Sequence, residues 1–128
     1  MSYLLDSVAV VMWWTDAPKL GANARAILER SDSAIYLSPV SMWEIANKSR
    51  IGKLDEIKDF AGQFPELLRA NGFALLDLTA AHAIRAGYLA GEHRDPFDRL
   101  LAGQALTERM TVLTNDPQIA AFGCEVLW

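Results

Sequence analysis

The chain has one cysteine, Cys124, among its 128 residues, so no intramolecular disulfide can form and nothing in it requires an oxidising compartment. A basic excess is also missing. With 12 basic and 16 acidic residues the formal net charge is −4, which argues against a general nucleic-acid-binding coat. No apolar run is long enough to span a bilayer; Val8 to Trp14 falls far short. The start does not read as a signal peptide, because Asp6 interrupts it and no Lys or Arg precedes the apolar run. Neither a Gly-rich dinucleotide fingerprint nor a phosphate-binding P-loop occurs, and there is no repeat or low-complexity segment. What remains is 52% hydrophobic and 22% charged, ordinary globular usage. The expectation is a soluble cytoplasmic protein, residues 1–128 forming one domain without membrane attachment.

Short apolar runs alternate with helical patterns along the whole chain. Tyr3-Leu4-Leu5, Ala34 to Leu37, Phe73 to Leu76, Thr111 to Thr114 and Glu125 to Leu127 read as strands. Between them, Ser7 to Trp14, Gly21 to Arg30, Pro39 to Arg50, Thr79 to Leu89, Pro96 to Arg109 and Pro117 to Phe122 read as helices, three of them opened by proline. Asp55 to Ala70 carries helical spacing too, with Pro65 predicting a kink or two helices. Ser31-Asp32-Ser33 reads as a turn. This alternation predicts an α/β three-layer sandwich around a mainly parallel sheet of four to five strands. Ligands of such sheets sit beyond the carboxyl ends of the strands.

The acids define the chemistry. Asp6 stands directly after the first strand and before a second apolar run, an awkward place for an unpaired carboxylate. Asp116 holds the same position after the fourth strand. Both also suit a helix N-cap, as does Asp95 before Pro96. Asp98, one turn inside that helix, is freer to act as a ligand. Glu44 has a bland reading as an i,i+4 partner of Lys48, but its neighbours Trp43 and Ile45 are core-like. Taken one at a time, each acid has a structural role. Taken together, Asp6 and Asp116 must share one sheet edge, and the helix from Pro96 brings Asp98 back to it. Converging carboxylates raise one another's pKa unless cations intervene, and oxygen-only ligation suits Mg2+ or Mn2+. Such ions support phosphodiester hydrolysis by an activated water. Cys124 reads as a packing residue and His82 as a satisfied histidine at the surface or half buried; His93 is a loop group able to meet a phosphate or a protein partner.

Tyr3-Leu4-Leu5-Asp6-Ser7, Ser41-Met42-Trp43-Glu44-Ile45-Ala46, His93-Arg94-Asp95-Pro96-Phe97-Asp98-Arg99 and Thr114-Asn115-Asp116 occur in the order and spacing of PIN-domain ribonucleases. The chain resembles in particular the VapC-type toxins of bacterial toxin–antitoxin pairs, over nearly its whole length. The resemblance implies an endoribonuclease that binds Mg2+ or Mn2+ through Asp6 and Asp98, with Glu44 and Asp116 completing the acidic quartet. Asp95 matches an additional acid, cap or ligand or both, and Ser7 a position that orients a metal-bound water. It implies products with 5′-phosphate and 3′-hydroxyl ends, a homodimer and a cognate antitoxin. Arg94, Arg99, Lys48, Arg50 and Lys53 are the candidate cations for RNA, and Trp13 and Trp14 candidate contacts for bases or for an antitoxin helix. Two other classes compete. A non-catalytic module would use the same pocket only to dock a partner. A phospho-acceptor signalling domain needs adjacent acids after strand one and a late Lys, and this chain has neither.

Overall fold

A computed structural model describes residues 1–30 and 32–128. Its elements are β1 (Ser2–Leu5), α1 (Ser7–Trp14), α2 (Ala22–Glu29), β2 (Ala34–Leu37), α3 (Pro39–Arg50), α4 (Phe60–Asn71), β3 (Ala74–Leu75), α5 (Ala80–Tyr88), α6 (Pro96–Glu108), β4 (Thr111–Leu113), α7 (Pro117–Ala121) and β5 (Val126–Leu127). The sheet order is β3-β2-β1-β4-β5, and all four pairings are parallel. The α/β fold and the upper strand count expected from the sequence are therefore observed. Parallel strands need crossovers, and the helices supply them on both faces.

Side-chain alternation along β1 explains the three layers. Tyr3 and Leu5 join Ile35, Leu37 and Leu113 in one core, against Ala9 and Val10 of α1, Ala24 and Ile27 of α2, Ile45 of α3 and Phe60 and Leu67 of α4. Leu4 and Val112 point the other way, onto Leu101, Ala102 and Ala105 of α6, Ile119 of α7 and Cys124. The strand is thus apolar on both faces, as a central parallel strand must be. Cys124 is a packing residue in this second core; burial pushes its thiol up to about 11. Gly103 lets α5 and α6 touch: a Cβ there would lie 2.7 Å from the His82 carbonyl oxygen and 2.9 Å from the Ala86 Cβ.

Several sequence expectations change in detail. Asp55 to Asp59 are turns and bends rather than helix, and a single helix begins at Phe60 with Pro65 inside it. The reason is local: Asp59 adopts φ 51°, a left-handed conformation incompatible with continuing a helix through it, and its carboxylate accepts from Gly62 N–H at 3.3 Å. In the expected turn at Ser31-Asp32-Ser33, Ser31 lies outside the described residues. His82, expected at the surface or half buried, is only 1% exposed. It closes a capping box with Thr79, accepting Thr79 N–H at Nδ1 (3.0 Å) while Nε2 meets Glu108 at 2.7 Å. Among the described residues no helix is long and apolar enough to cross a membrane.

Candidate active site

The topology fixes where the acids meet. From β1 the chain passes to β2 on one side, and β4 lies on the other, so the strand order reverses beside β1. Leu5 is in register with Leu113, and Asp6 N–H donates to the Leu113 carbonyl at 3.3 Å. One residue further along, the Thr114 hydroxyl donates to Asp6 Oδ2 and accepts Asp116 N–H at 3.0 Å. A short relay therefore joins the ends of both strands through Asp6. The other carboxylate oxygen of Asp6 accepts Ala9 N–H at 2.7 Å, making Asp6 the N-cap of α1. Cap and ligand are compatible roles, since an ionised carboxylate has about four acceptor sites and two are used here.

Each remaining acid arrives on a helix start or a helix face. Asp116 caps α7, accepting Gln118 N–H at 2.9 Å. Asp95 caps α6, accepting from Phe97 N–H at 2.9 Å and Asp98 N–H at 3.4 Å. Asp98 follows in the first turn, where the helix N-terminus favours negative charge, and its Oδ2 lies 2.7 Å from His93 Nε2. Glu44 projects from α3 and is half buried. The bland i,i+4 ion pair with Lys48 is not made within 4.0 Å.

The pKa shifts register the convergence. Burial raises Asp6 above the usual carboxylate range, Thr114 and Ala9 N–H oppose it, and the charges of Asp116 and Asp98 add to it. Asp98 is raised by burial and by Asp95 and Asp116, with His93 pulling the other way. Glu44 goes furthest, to about 7, from burial first and then from Asp98, Asp95 and Asp6, only partly offset by Lys48. Burial leads each of these shifts, and mutual repulsion among Asp6, Glu44, Asp95, Asp98 and Asp116 adds to it. Among the described residues the one group of three His, Cys or acidic side chains with ligand atoms all within 4.8 Å is His93, Asp95 and Asp98. Asp6, Glu44 and Asp116 stand outside that tight set and are joined to it by charge.

The profile of the PIN domain matches residues 3–123. The chain belongs to the PIN-domain family. Ribonuclease VapC16 of Mycobacterium tuberculosis (strain ATCC 25618 / H37Rv) is 38% identical over 69 residues, 51% of this chain and 49% of that protein. The chain thus spans about half the length of the curated relative it matches. Among solved structures, VapBC2 from Rickettsia felis bound to a DNA fragment from its promoter superposes with TM-score 0.71 at 18% identity, covering 99% of this chain and 98% of that one. FitAcB from Neisseria gonorrhoeae gives 0.71 at 19%, covering 98% and 96%. At such identities these two share the PIN fold with this chain.

The candidate cations divide. Arg99 donates to four backbone carbonyls, His93 at 2.7 Å, Ala86 at 3.1 Å, Leu89 at 2.8 Å and Gly91 at 2.9 Å, and lies over the Phe122 ring. Four of its five N–H groups are spent holding the loop before α6, so it acts as a clamp and not as the phosphate contact expected from its charge. Arg94 and Lys48 are exposed. Lys48 and Lys53 border a cavity of about 170 Å3 that also contains buried Ser7. The sequence reading passed over Thr114 and gave His93 no link to Asp98. For Thr114 a signal existed, because parallel register puts residue 114 beside residue 6. The His93 contact needs the loop conformation that Arg99 holds.

Proposed function

We propose that this chain is a VapC-type endoribonuclease toxin that hydrolyses RNA phosphodiester bonds with a divalent cation and is neutralised by a cognate antitoxin. The observation that carries the reading is the cluster of mutually repelling, partly buried carboxylates at the strand-order reversal, with Glu44 raised to about 7. The donor set fits the metal: it is carboxylate with one imidazole, and the only thiol is buried in the second core. Asp6, Asp98, Asp116 and Glu44 would hold Mg2+ or Mn2+, with Asp95 and His93 as the adjoining candidates. Bound there, such an ion supplies Lewis acidity that lowers the pKa of a water and charge that offsets the phosphate.

The protein's own groups do the positioning. Thr114 and Ala9 N–H fix the plane of the Asp6 carboxylate. His93 fixes one oxygen of Asp98. Glu44, half protonated near neutral pH before any cation arrives, can take or hold a proton beside the reacting phosphate. Ser7, which begins α1 directly after Asp6, is the candidate to orient a water. Arg94 and Lys48 remain the cations that draw RNA toward an acidic pocket.

Two grooves support the antitoxin. Of about 330 and 370 Å3, they meet at Trp14, Leu67 and Asn71, between α1 and α4. Trp14 also packs on Phe60, and Trp13 donates to Asn71, so both tryptophans belong to the groove wall as well as to the packing. An amphipathic antitoxin segment suits these grooves, which set Trp14 and Leu67 among charged and polar side chains such as Arg25, Glu29 and Glu66. A homodimer completes the proposal; the exposed Ile84 and Tyr88 of α5 offer an apolar contact for it.

The test incubates the protein with structured RNAs and Mn2+ or Mg2+, with chelator as control. Asp6→Asn and Asp98→Asn each abolish cleavage while leaving the circular dichroism of the folded protein intact. Cleavage that persists in both variants, or in chelator, overturns the metal mechanism. RNA bound tightly and never cut identifies a binding module instead.

A further inference from the structure

An exposed aromatic pair joins α3 to α6. Trp43 is 53% exposed, unusual for the largest apolar side chain, and its ring stacks on Phe97 with centroids 4.7 Å apart and planes 20° from parallel. With Phe97 covering one ring face, the exposed part of Trp43 is its other face and its edge. The pair is tied to the acids on both sides. Trp43 precedes Glu44 on α3, and Phe97 precedes Asp98 on α6. On α3, Trp43, Asn47 and Arg50 recur at helical spacing and line one concavity of about 240 Å3 with Ala46. The Arg50 guanidinium is steadied by Asn47 Oδ1 at 2.7 Å. Seven residues of helix place the Cα atoms of Trp43 and Arg50 about 10 Å apart along the axis.

We propose that Trp43, backed by Phe97, is a stacking platform for an unpaired base next to the bond cut in the acidic pocket, and that Arg50 meets the adjoining phosphate. The occupant is single-stranded RNA, a choice that rests on the ribonuclease reading. Two observations favour it over a second protein surface. The stripe ends in a guanidinium and an amide rather than in an apolar rim, and the two rings at its other end belong to the residues directly before Glu44 and Asp98. Base stacking on an aromatic face is indifferent to sequence but demands an unpaired base, so the platform selects loops and single strands over duplex. Arg50 adds positive charge at the far end of the stripe, beyond that of Lys48 and Arg94.

The test measures binding of fluorescein-labelled single-stranded and duplex RNA of one sequence in chelator, and cleavage with Mn2+, for the full chain and for Trp43→Ala, Trp43→Phe and Arg50→Met. Trp43→Ala weakens single-strand binding about 5- to 100-fold and abolishes the preference over duplex. Trp43→Phe keeps the preference, and Arg50→Met lowers the salt dependence of binding by about one ion. In cleavage the Trp43→Ala effect falls on KM more than on kcat. Equal Kd and KM for Trp43→Ala and the parent overturn the platform while leaving the nuclease standing. If the parent cuts no RNA, the nuclease reading falls alone when the Trp43-dependent single-strand preference is present, and both fall when it is absent. A change in mass by light scattering on Trp43→Ala assigns the ring to a contact between copies and overturns the proposal. Melting curves identify a misfolded Trp43→Ala, and Trp43→Phe with Arg50→Met then decide: loss of the preference in Trp43→Phe, or unchanged salt dependence in Arg50→Met, overturns it.

Discussion

Replacing Glu44 by Gln stabilises the metal-free protein increasingly as the pH rises from about 4.5 to about 7, and fully above that. The folded carboxyl keeps its proton to about 7 instead of the ordinary 4.5, because it is half buried and faces Asp98, Asp95 and Asp6. Between those two values the folded state holds more protons than the unfolded state, so stability falls as the pH rises through the window. Below about 4.5 both states are protonated and the cost vanishes; above about 7 it is complete. The full displacement corresponds to at most about 3 kcal/mol, and solvent screening at a half-exposed group reduces it to about 1–2 kcal/mol. For a chain of this size that is a rise in Tm of about 3–8 °C at pH 8. Thermal melts of parent and Glu44→Gln, in chelator at pH 5 and pH 8, measure it. The variant melts higher at pH 8, and the advantage shrinks toward pH 5. Saturating Mn2+ removes the advantage by stabilising the parent, which retains the fourth carboxylate. Equal advantages at both pH values, or a variant less stable than the parent at pH 8, refute the claim that charge repulsion around Glu44 is stored in the fold.

Other outcomes follow from single contacts. Thr114→Val breaks the relay between Asp6 and Asp116 N–H; it costs about 1–2 kcal/mol in urea melts and lowers kcat about tenfold, and unchanged kcat shows that Asp6 needs no such positioning. Arg99→Met frees the carbonyls of the loop before α6 and costs about 2–4 kcal/mol. Its binding to RNA keeps the parental salt slope, whereas Arg94→Met and Lys48→Met each reduce the slope by about one. Gly103→Ala forces a methyl within 2.7 Å of the His82 carbonyl and destabilises by about 1–3 kcal/mol; a neutral result means α5 slides freely on α6.

Much of the architecture is a local matter and could be read directly. Ser38, Asp95 and Asp116 precede prolines and cap α3, α6 and α7 as their residue types dictate, and the apolar runs became strands with ends shifted by a residue or so. Pro65 misled, because the helix boundary was set by the left-handed Asp59 and not by the proline. The site was legible as a list of acids, since strand periodicity and parallel order put Asp6 and Asp116 on one edge. Most side-chain partnerships were not legible. His93 on Asp98, Trp43 on Phe97 and Arg99 on four carbonyls join residues whose separation along the chain carries no periodic signal, whereas Thr114 on Asp6 follows from strand register alone.

Asp6 shows the division. Sequence alone determined that a carboxylate ends β1 and caps the helix after it, because both depend on neighbours in the chain. Only the tertiary structure decided what else it meets. Register across β1 and β4 brought Thr114 to its second oxygen, and burial at that edge, with the charges of Asp116 and of Asp98 on α6, raises its pKa. Capping is a short-range hydrogen bond between residues a turn apart. A shared pocket requires distant segments to be held together against their own repulsion, and the apolar cores on both faces of the sheet supply that hold.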